Sequence, residues 1–158
     1  MASDVQRIVG ALSHVEREAA KLPWAKERPW RASSQVSILE GVPTVDLHGL
    51  SIRLGEAVAQ ALLPMVPELD AAALQFITGR GRHTGGISRL KEAVNLHVLA
   101  AARENGWTAS PRGPGRILVV SDPSKAPTAA TGGFPVYFWL FIAFILFAIA
   151  AIVYDKLF

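Results

Sequence analysis

The feature that most constrains this sequence is an unbroken apolar segment near its C-terminus. Residues 134–154 contain no charged and no strongly polar side chain. An α-helix rises about 1.5 Å per residue, so a segment of this length spans about 30 Å, the thickness of the hydrocarbon core of a bilayer. A helix on the surface of a soluble domain would keep a polar face, and this segment has none. We therefore predict a single transmembrane helix over 134–154.

The residues around this segment predict its orientation. Tyr137 and Tyr154 lie near its two ends, where amphipathic rings favour the membrane interface. A short tail, 155–158, follows the segment, and residues 1–20 contain no apolar run typical of a signal peptide. We expect a tail-anchored, single-pass membrane protein whose domain lies on the cytoplasmic side. A bacterial inner membrane and a eukaryotic organelle membrane are equally compatible with this arrangement.

Composition excludes several other classes of protein. Hydrophobic residues make up 51% of the chain and charged residues 18%, which is the opposite of the bias that keeps a chain disordered. The lack of cysteine excludes disulfides, a thiolate metal site and a cysteine nucleophile. The formal net charge of +3 is spread almost evenly, so charge alone is not evidence for nucleic-acid binding.

A helical segment and a linker precede the domain. Apolar residues at helical spacing over 4–22 predict an amphipathic helix, which either packs on the domain or contacts a partner or a membrane surface. The stretch 23–35 contains two prolines and predicts an irregular linker, whose Trp24 and Trp30 we expect to pack against the domain. The boundaries that we predict are 1–40 for the helix and linker, 41–122 for the domain and 123–133 for a linker to the membrane helix.

Strand-like and helical patterns alternate within the domain. Short apolar runs predict strands, and apolar residues at helical spacing predict helices. In chain order we predict a strand over 42–47, a helix over 52–66, a strand over 73–78, a helix over 87–104 and strands over 107–110 and 116–121. The order βαβαββ predicts a two-layer α/β sandwich, in which strand–helix–strand units place neighbouring strands parallel and the last two strands form a hairpin.

The first motif with chemical potential, Asp46-Leu47-His48-Gly49, lies at the end of the first predicted strand. Because side chains alternate along a strand, Asp46 and His48 share a face while Leu47 points into the core. A carboxylate beside an imidazole can orient the ring and raise its basicity, which suits His48 to general acid–base work. Gly49 permits a sharp turn into the following helix. We predict Asp46 and His48 as catalytic residues.

The second motif, 78–86, follows the second predicted strand and precedes a helix. Its glycines let backbone N–H groups approach an anion closely, and the helix N-terminus adds a favourable dipole. Its two arginines supply charge for a phosphate, and its histidine adds a titratable donor. Both motifs follow the carboxyl ends of adjacent strands, where open α/β sheets bind ligands, and the hairpin can extend the positive rim. The phosphate-binding residues predicted from this placement are Gly79, Arg80, Gly81, Arg82, His83, Arg112 and Arg116.

Together these motifs resemble those of the Smr (small MutS-related) domain. The hallmarks of that family are an LDLHG-type motif, which 45–50 match, and a TGxGxH-type motif, which 78–83 match. Val45 stands where many members have Leu, and Thr84 stands where Ser is common and keeps the hydroxyl, so Thr84 joins the predicted binding residues. The resemblance covers about residues 42–121. It implies a βαβαββ sandwich similar to the C-terminal domain of bacterial translation initiation factor three.

The resemblance also implies an activity, since many members of the family nick DNA or cleave RNA and some act at ribosomes. Asp46 and His48 match the residues implicated in cleavage. The loop that contacts nucleic acid in the family is matched by Gly79, Arg80, Gly81 and His83. A membrane anchor is not the usual partner of an Smr domain, and no MutS-type ATPase is present in this chain.

Three functions fit these residues. The first is a membrane-anchored endonuclease that acts on RNA or, as the less favoured substrate, on DNA, with either an RNA 2′-OH or water as the nucleophile; attack by the RNA 2′-OH requires no metal. The second is a non-catalytic module that tethers nucleic acid or ribosomes to the membrane. The third is a protein-interaction scaffold. We expect no small-molecule cofactor; a divalent ion at Asp46, His48 and His83 is an alternative, although one carboxylate is few for Mg²⁺.

Overall fold

The computed structural model of the chain describes residues 2–79 and 89–126. The predicted transmembrane helix 134–154, the tail 155–158, most of the linker 123–133 and residues 80–86 of the second motif lie outside the described residues. In the two described ranges, no helix combines the length and the apolar character needed to cross a membrane.

The described residues form a mixed α/β structure. Its helices are α1 (Ala2–Ala11), α2 (Ser13–Ala19), α3 (Ala32–Gln35), α4 (Ile52–Leu62) and α5 (Arg89–Asn105), with 3₁₀ turns at Pro23–Lys26 and Leu63–Glu68. Its strands are β1 (Val36–Leu39), β2 (Val42–Asp46), β3 (Ala73–Ile77), β4 (Thr108–Pro111) and β5 (Arg116–Val120).

Helix α4 illustrates how the local sequence sets these bounds. The Ser51 hydroxyl accepts a hydrogen bond from the Leu54 amide at 3.4 Å, which caps the helix as its sequence predicts. The helix ends earlier than predicted, at Leu62, and the chain continues as a 3₁₀ turn. Pro64 and Pro67 lack the N–H that would extend the α-helical hydrogen bonds, which explains the change.

The described strands form one five-stranded sheet in the order β1-β2-β3-β5-β4. Strands β2 and β3 are parallel neighbours joined through α4, as predicted. The prediction that the second strand–helix–strand unit also joins neighbours is wrong, because β5 lies between β3 and β4 and runs antiparallel to both. The predicted closing hairpin is present, and its fold-back places β5, not β4, beside β3.

Strand β1 was not predicted, since its residues were assigned to the linker. It pairs antiparallel with β2 from Val36 opposite Val45 to Leu39 opposite Val42. The two residues between the strands, Glu40 and Gly41, have φ values of 53° and 78°. Positive φ at both central residues is the geometry of a type I′ hairpin turn, which favours glycine.

One face of the sheet packs against the helices. Its strand residues include Val45, Phe76 and Val119, all fully buried, and they share a core with Val58 of α4 and Val94 of α5. The opposite face holds a separate, smaller apolar cluster with no helical residue among its described members. The described helices and sheet therefore form two layers.

The N-terminal segment is part of this core. Ile8, Leu12 and Val15 are almost completely buried, so the predicted amphipathic helix packs on the domain. It is divided at Leu12 into α1 and α2. The Asp4 carboxylate accepts a hydrogen bond from the Asp70 amide at 3.1 Å, which joins α1 to the turn before β3.

Candidate active site

Asp46 and His48 meet at the carboxyl end of β2. One carboxylate oxygen, Oδ1 of Asp46, lies 2.5 Å from Nδ1 of the His48 ring. The same oxygen accepts the His48 backbone N–H at 2.9 Å. The contact is therefore local, between residues i and i+2, and it fixes both the ring and its backbone.

The position of His48 differs from the prediction, which placed Asp46 and His48 on the same face of one strand. Strand β2 ends at Asp46, and His48 belongs to the turn that follows. Leu47 is fully buried, as predicted, and its amide still donates to Ile77 O at 2.9 Å. The side chain of His48 is 60% exposed and that of Asp46 35%, so both groups are accessible to a ligand.

Gly79 lies directly against the His48 ring. A Cβ built at position 79 would come 2.7 Å from Nε2 of His48, which is too close for any side chain. Gly79 has a φ of 81°, which glycine adopts without strain. Gly79, the second residue of the second motif, thus lies against Nε2 of His48, the ring nitrogen that does not face Asp46.

The β4–β5 hairpin holds Gly79 in this position. The Thr78 amide donates to Gly115 O at 2.8 Å, and the Thr78 hydroxyl lies 3.3 Å from the same oxygen. A Cβ on Gly115 would collide with the Gly79 backbone. Sequence reasoning did not identify Gly115, which lies in the connection between the two strands predicted over 107–110 and 116–121.

The two arginines of the hairpin lie at the same edge of the sheet. Asp46 pairs with Ile77, and Ile77 pairs with Arg116, so these residues form one row across three strands. Neighbouring strands lie about 4.8 Å apart, so the backbone of Arg116 lies about 10 Å from the backbone of Asp46. The Arg112 amide donates to Arg116 O at 3.2 Å. The Nη2 atom of Arg112 is buried and has no hydrogen-bond partner among the described residues.

The structure therefore brings five of the predicted site residues to one end of the sheet. These are Asp46, His48, Gly79, Arg112 and Arg116. The other predicted residues of the second motif lie between the two described ranges: Arg80, Gly81, Arg82, His83 and Thr84.

Two tryptophans reach the same turn from the N-terminal segment. The Trp30 indole N–H donates to Asp46 O, and the Trp24 indole N–H donates to Gly49 O, both at 3.1 Å. Trp30 is buried, as expected, whereas Trp24 is 48% exposed. The sequence predicted that both rings pack on the domain, but the turn they contact is set by tertiary structure.

The arrangement suits acid–base chemistry. With Nδ1–H donating to Asp46, Nε2 of His48 is the free nitrogen that can accept or donate a proton. In residues 2–79 and 89–126, no group of three or more acidic or histidine side chains is placed to hold a metal ion. His97, on α5, lies 3.8 Å from a carboxylate oxygen of Glu56 and is remote from this turn in the sequence.

Comparison of the chain with protein-family models, curated proteins and solved structures gives no match in any of the three. The fold and the Asp46–His48 geometry define an α/β domain with an acid–base pair at the edge of its sheet.

Proposed function

We propose that this protein is a membrane-anchored, Smr-type endonuclease that cleaves RNA. The observation that carries the proposal is the contact of Asp46 Oδ1 with His48 Nδ1 at 2.5 Å, with Nε2 facing Gly79. A carboxylate-oriented imidazole that is open to solvent is the arrangement a general base needs. The glycine-lined backbone beside it suits close approach of a phosphate.

In the proposed reaction, Nε2 of His48 removes the proton from a ribose 2′-OH. The 2′ oxygen then bonds to the adjacent phosphorus, and the bond from phosphorus to the 5′ oxygen breaks. The leaving 5′ oxygen takes a proton from water, so the products are a 2′,3′-cyclic phosphate and a 5′-hydroxyl. The hydroxide left by that water takes the proton from His48, which restores the neutral imidazole. Asp46 stabilises the imidazolium that forms on His48.

We assign phosphate binding to the end of the sheet that carries Arg112 and Arg116. Arg112 and Arg116 lie beside the Gly79 turn, and the buried Nη2 of Arg112 supplies a donor without a partner among the described residues. An arginine fork matches the geometry of a phosphate. The resemblance to the Smr domain adds Arg80, Arg82 and His83 of the second motif to this set.

The membrane anchor belongs to the same proposal. Residues 134–154 are long and apolar enough to cross a bilayer as one helix. Anchoring on the cytoplasmic side would concentrate the nuclease where membrane-bound ribosomes and their messages are found. In this proposal, the RNA of ribosomes at the membrane is the expected substrate.

The proposal is tested with the full chain in detergent and a labelled single-stranded RNA. His48→Ala removes the proposed general base, and Asp46→Asn removes the charge that stabilises its imidazolium, so each should reduce cleavage by at least about 100-fold. His14→Ala, which changes an exposed histidine on α2, should leave cleavage unchanged. Product ends carrying a cyclic phosphate would support attack by the 2′-OH.

Three other results would contradict the proposal. Equal cleavage by His48→Ala and wild type would remove the assigned base. Cleavage of DNA as fast as RNA would exclude the 2′-OH as nucleophile. Tight RNA binding with no cleavage at any protein concentration would favour the tethering module instead.

A further inference from the structure

The exposed indole of Trp24 lies next to the candidate active site. Its N–H donates to the carbonyl of Gly49, the residue that follows His48. About half of the residue is nevertheless exposed to solvent, at 48%. A large aromatic ring that is anchored by its polar atom and leaves surface open is suited to contact a ligand.

The segment that carries Trp24 is fixed at two points of the catalytic turn. Trp24 bonds to Gly49 O, and the buried Trp30 bonds to Asp46 O. Between them, the amide of Glu27 donates to Trp24 O at 3.2 Å, which closes the 3₁₀ turn. The ring is therefore positioned before any ligand arrives, which lowers the entropy cost of binding.

There is open space beside the anchoring point. A Cβ built on Gly49 would meet no atom within 4 Å. This residue also has a φ of 84°, so glycine keeps the turn unstrained. The turn is therefore open at the position where a side chain of residue 49 would begin.

The charge of the surrounding segment favours an anionic ligand. Residues 23–31 contain three exposed basic side chains and one exposed acidic side chain, Glu27. The basic side chains are Lys26, Arg28 and Arg31. Proteins bind single-stranded nucleic acid by stacking bases on exposed aromatic rings and pairing phosphates with basic side chains, and in this segment the exposed ring is Trp24.

We propose that Trp24 stacks on a base of single-stranded RNA, in a nucleotide next to the cleaved bond. This inference rests on the proposed function. Trp24 is bonded to Gly49, the residue after the proposed base His48, so a nucleotide base stacked on Trp24 would lie beside the bond that is cleaved. A base inside a duplex is already stacked on its neighbours, so Trp24 contributes only to single-stranded substrates. Trp24 is a substrate-binding residue in this arrangement and takes no part in proton transfer.

The test measures binding rather than cleavage, in the full chain carrying His48→Ala. Fluorescence anisotropy compares a 12-nucleotide single-stranded RNA with a ribose-phosphate chain of the same length that lacks bases. Trp24→Ala should weaken binding of the RNA by about 10-fold, since stacking on one aromatic ring is worth that much. Binding of the baseless chain should not change, and Trp24→Phe, which keeps a ring, should retain most of the affinity.

Leu96→Ala is the matched control, because Leu96 is also an exposed apolar side chain, at 71%, and lies in the middle of α5. Equal RNA binding with and without Trp24 would overturn the inference and leave the proposed nuclease intact. Equal loss for the RNA and the baseless chain would also overturn it, since Trp24 would then only support the turn. If the chain neither binds nor cleaves RNA, both the inference and the proposed function fall.

Discussion

Gly79 and His48 are in contact at the edge of the sheet, with room for a hydrogen but not for a methyl group between them. Gly79→Ala would push the His48 ring away from its position and should reduce RNA cleavage by about 100-fold, the cost of a displacement near 1 Å. The measurement is the single-turnover cleavage rate of the full chain in detergent.

Gly106→Ala provides the control for this change. Gly106 has a φ of 69°, so alanine at either position carries a similar backbone penalty of about 1–2 kcal/mol. A Cβ at 106 meets no atom within 4 Å, and cleavage should be unchanged. If the two variants lose activity equally, backbone strain and not the His48 contact is responsible.

The indole hydrogen bond of Trp30 should contribute more to the stability of the fold than the indole hydrogen bond of Trp24. Trp30→Phe leaves Asp46 O without its indole partner at a buried site, which should lower the free energy of unfolding by about 1–3 kcal/mol. At the exposed Trp24, water can replace the bond to Gly49 O, so Trp24→Phe should cost less. Urea unfolding followed by circular dichroism compares the two, and equal costs would contradict the assignment.

Arg112 should contribute one phosphate contact. For a single strand, each neutralised phosphate adds about 0.7 to the slope of log affinity against log salt concentration. Arg112→Ala should therefore weaken RNA binding and reduce this slope by about 0.7. Arg103→Ala removes the same charge from the last turn of α5 and should leave the slope unchanged. A slope that depends equally on both arginines would indicate only a general charge effect.

The Asp122 carboxyl should show a depressed pKa. Hydrogen bonds from the Ser124 hydroxyl at 2.7 Å and the Ser124 amide at 3.0 Å hold its pKa below the usual 3.8. The folded value is thus lower than the unfolded value, so this turn is stabilised above about pH 3.8 and loses that stabilisation as the pH falls through the folded pKa.

A carboxyl-carbon NMR titration from about pH 6 downward measures this value. Ser124→Ala removes the larger of the two contributions and should move the pKa of Asp122 back toward 3.8. Ser121→Ala is the control, because the Ser121 hydroxyl donates to Ala72 O and not to Asp122. An unchanged titration in Ser124→Ala would contradict the assignment.

The sequence predicted elements whose signal is local. The apolar spacing of α4 and α5, the Ser51 cap and the apolar runs of β3 and β5 are all readable within one segment. Strand β1 was not readable in this way, because half of its four residues are exposed and its pairing with β2 is what makes it a strand.

The same distinction between local contacts and contacts made by the fold applies to the candidate site. The contact between Asp46 and His48 is predictable from the sequence, because a carboxylate reaches a backbone N–H and a ring two residues later without help from the rest of the fold. The contact of Gly79 with the ring and the hydrogen bonds of Trp24 and Trp30 to the turn were not predictable from the sequence. Those contacts join segments far apart in the chain, and the sheet register and hydrophobic core that bring them together are properties of the whole domain.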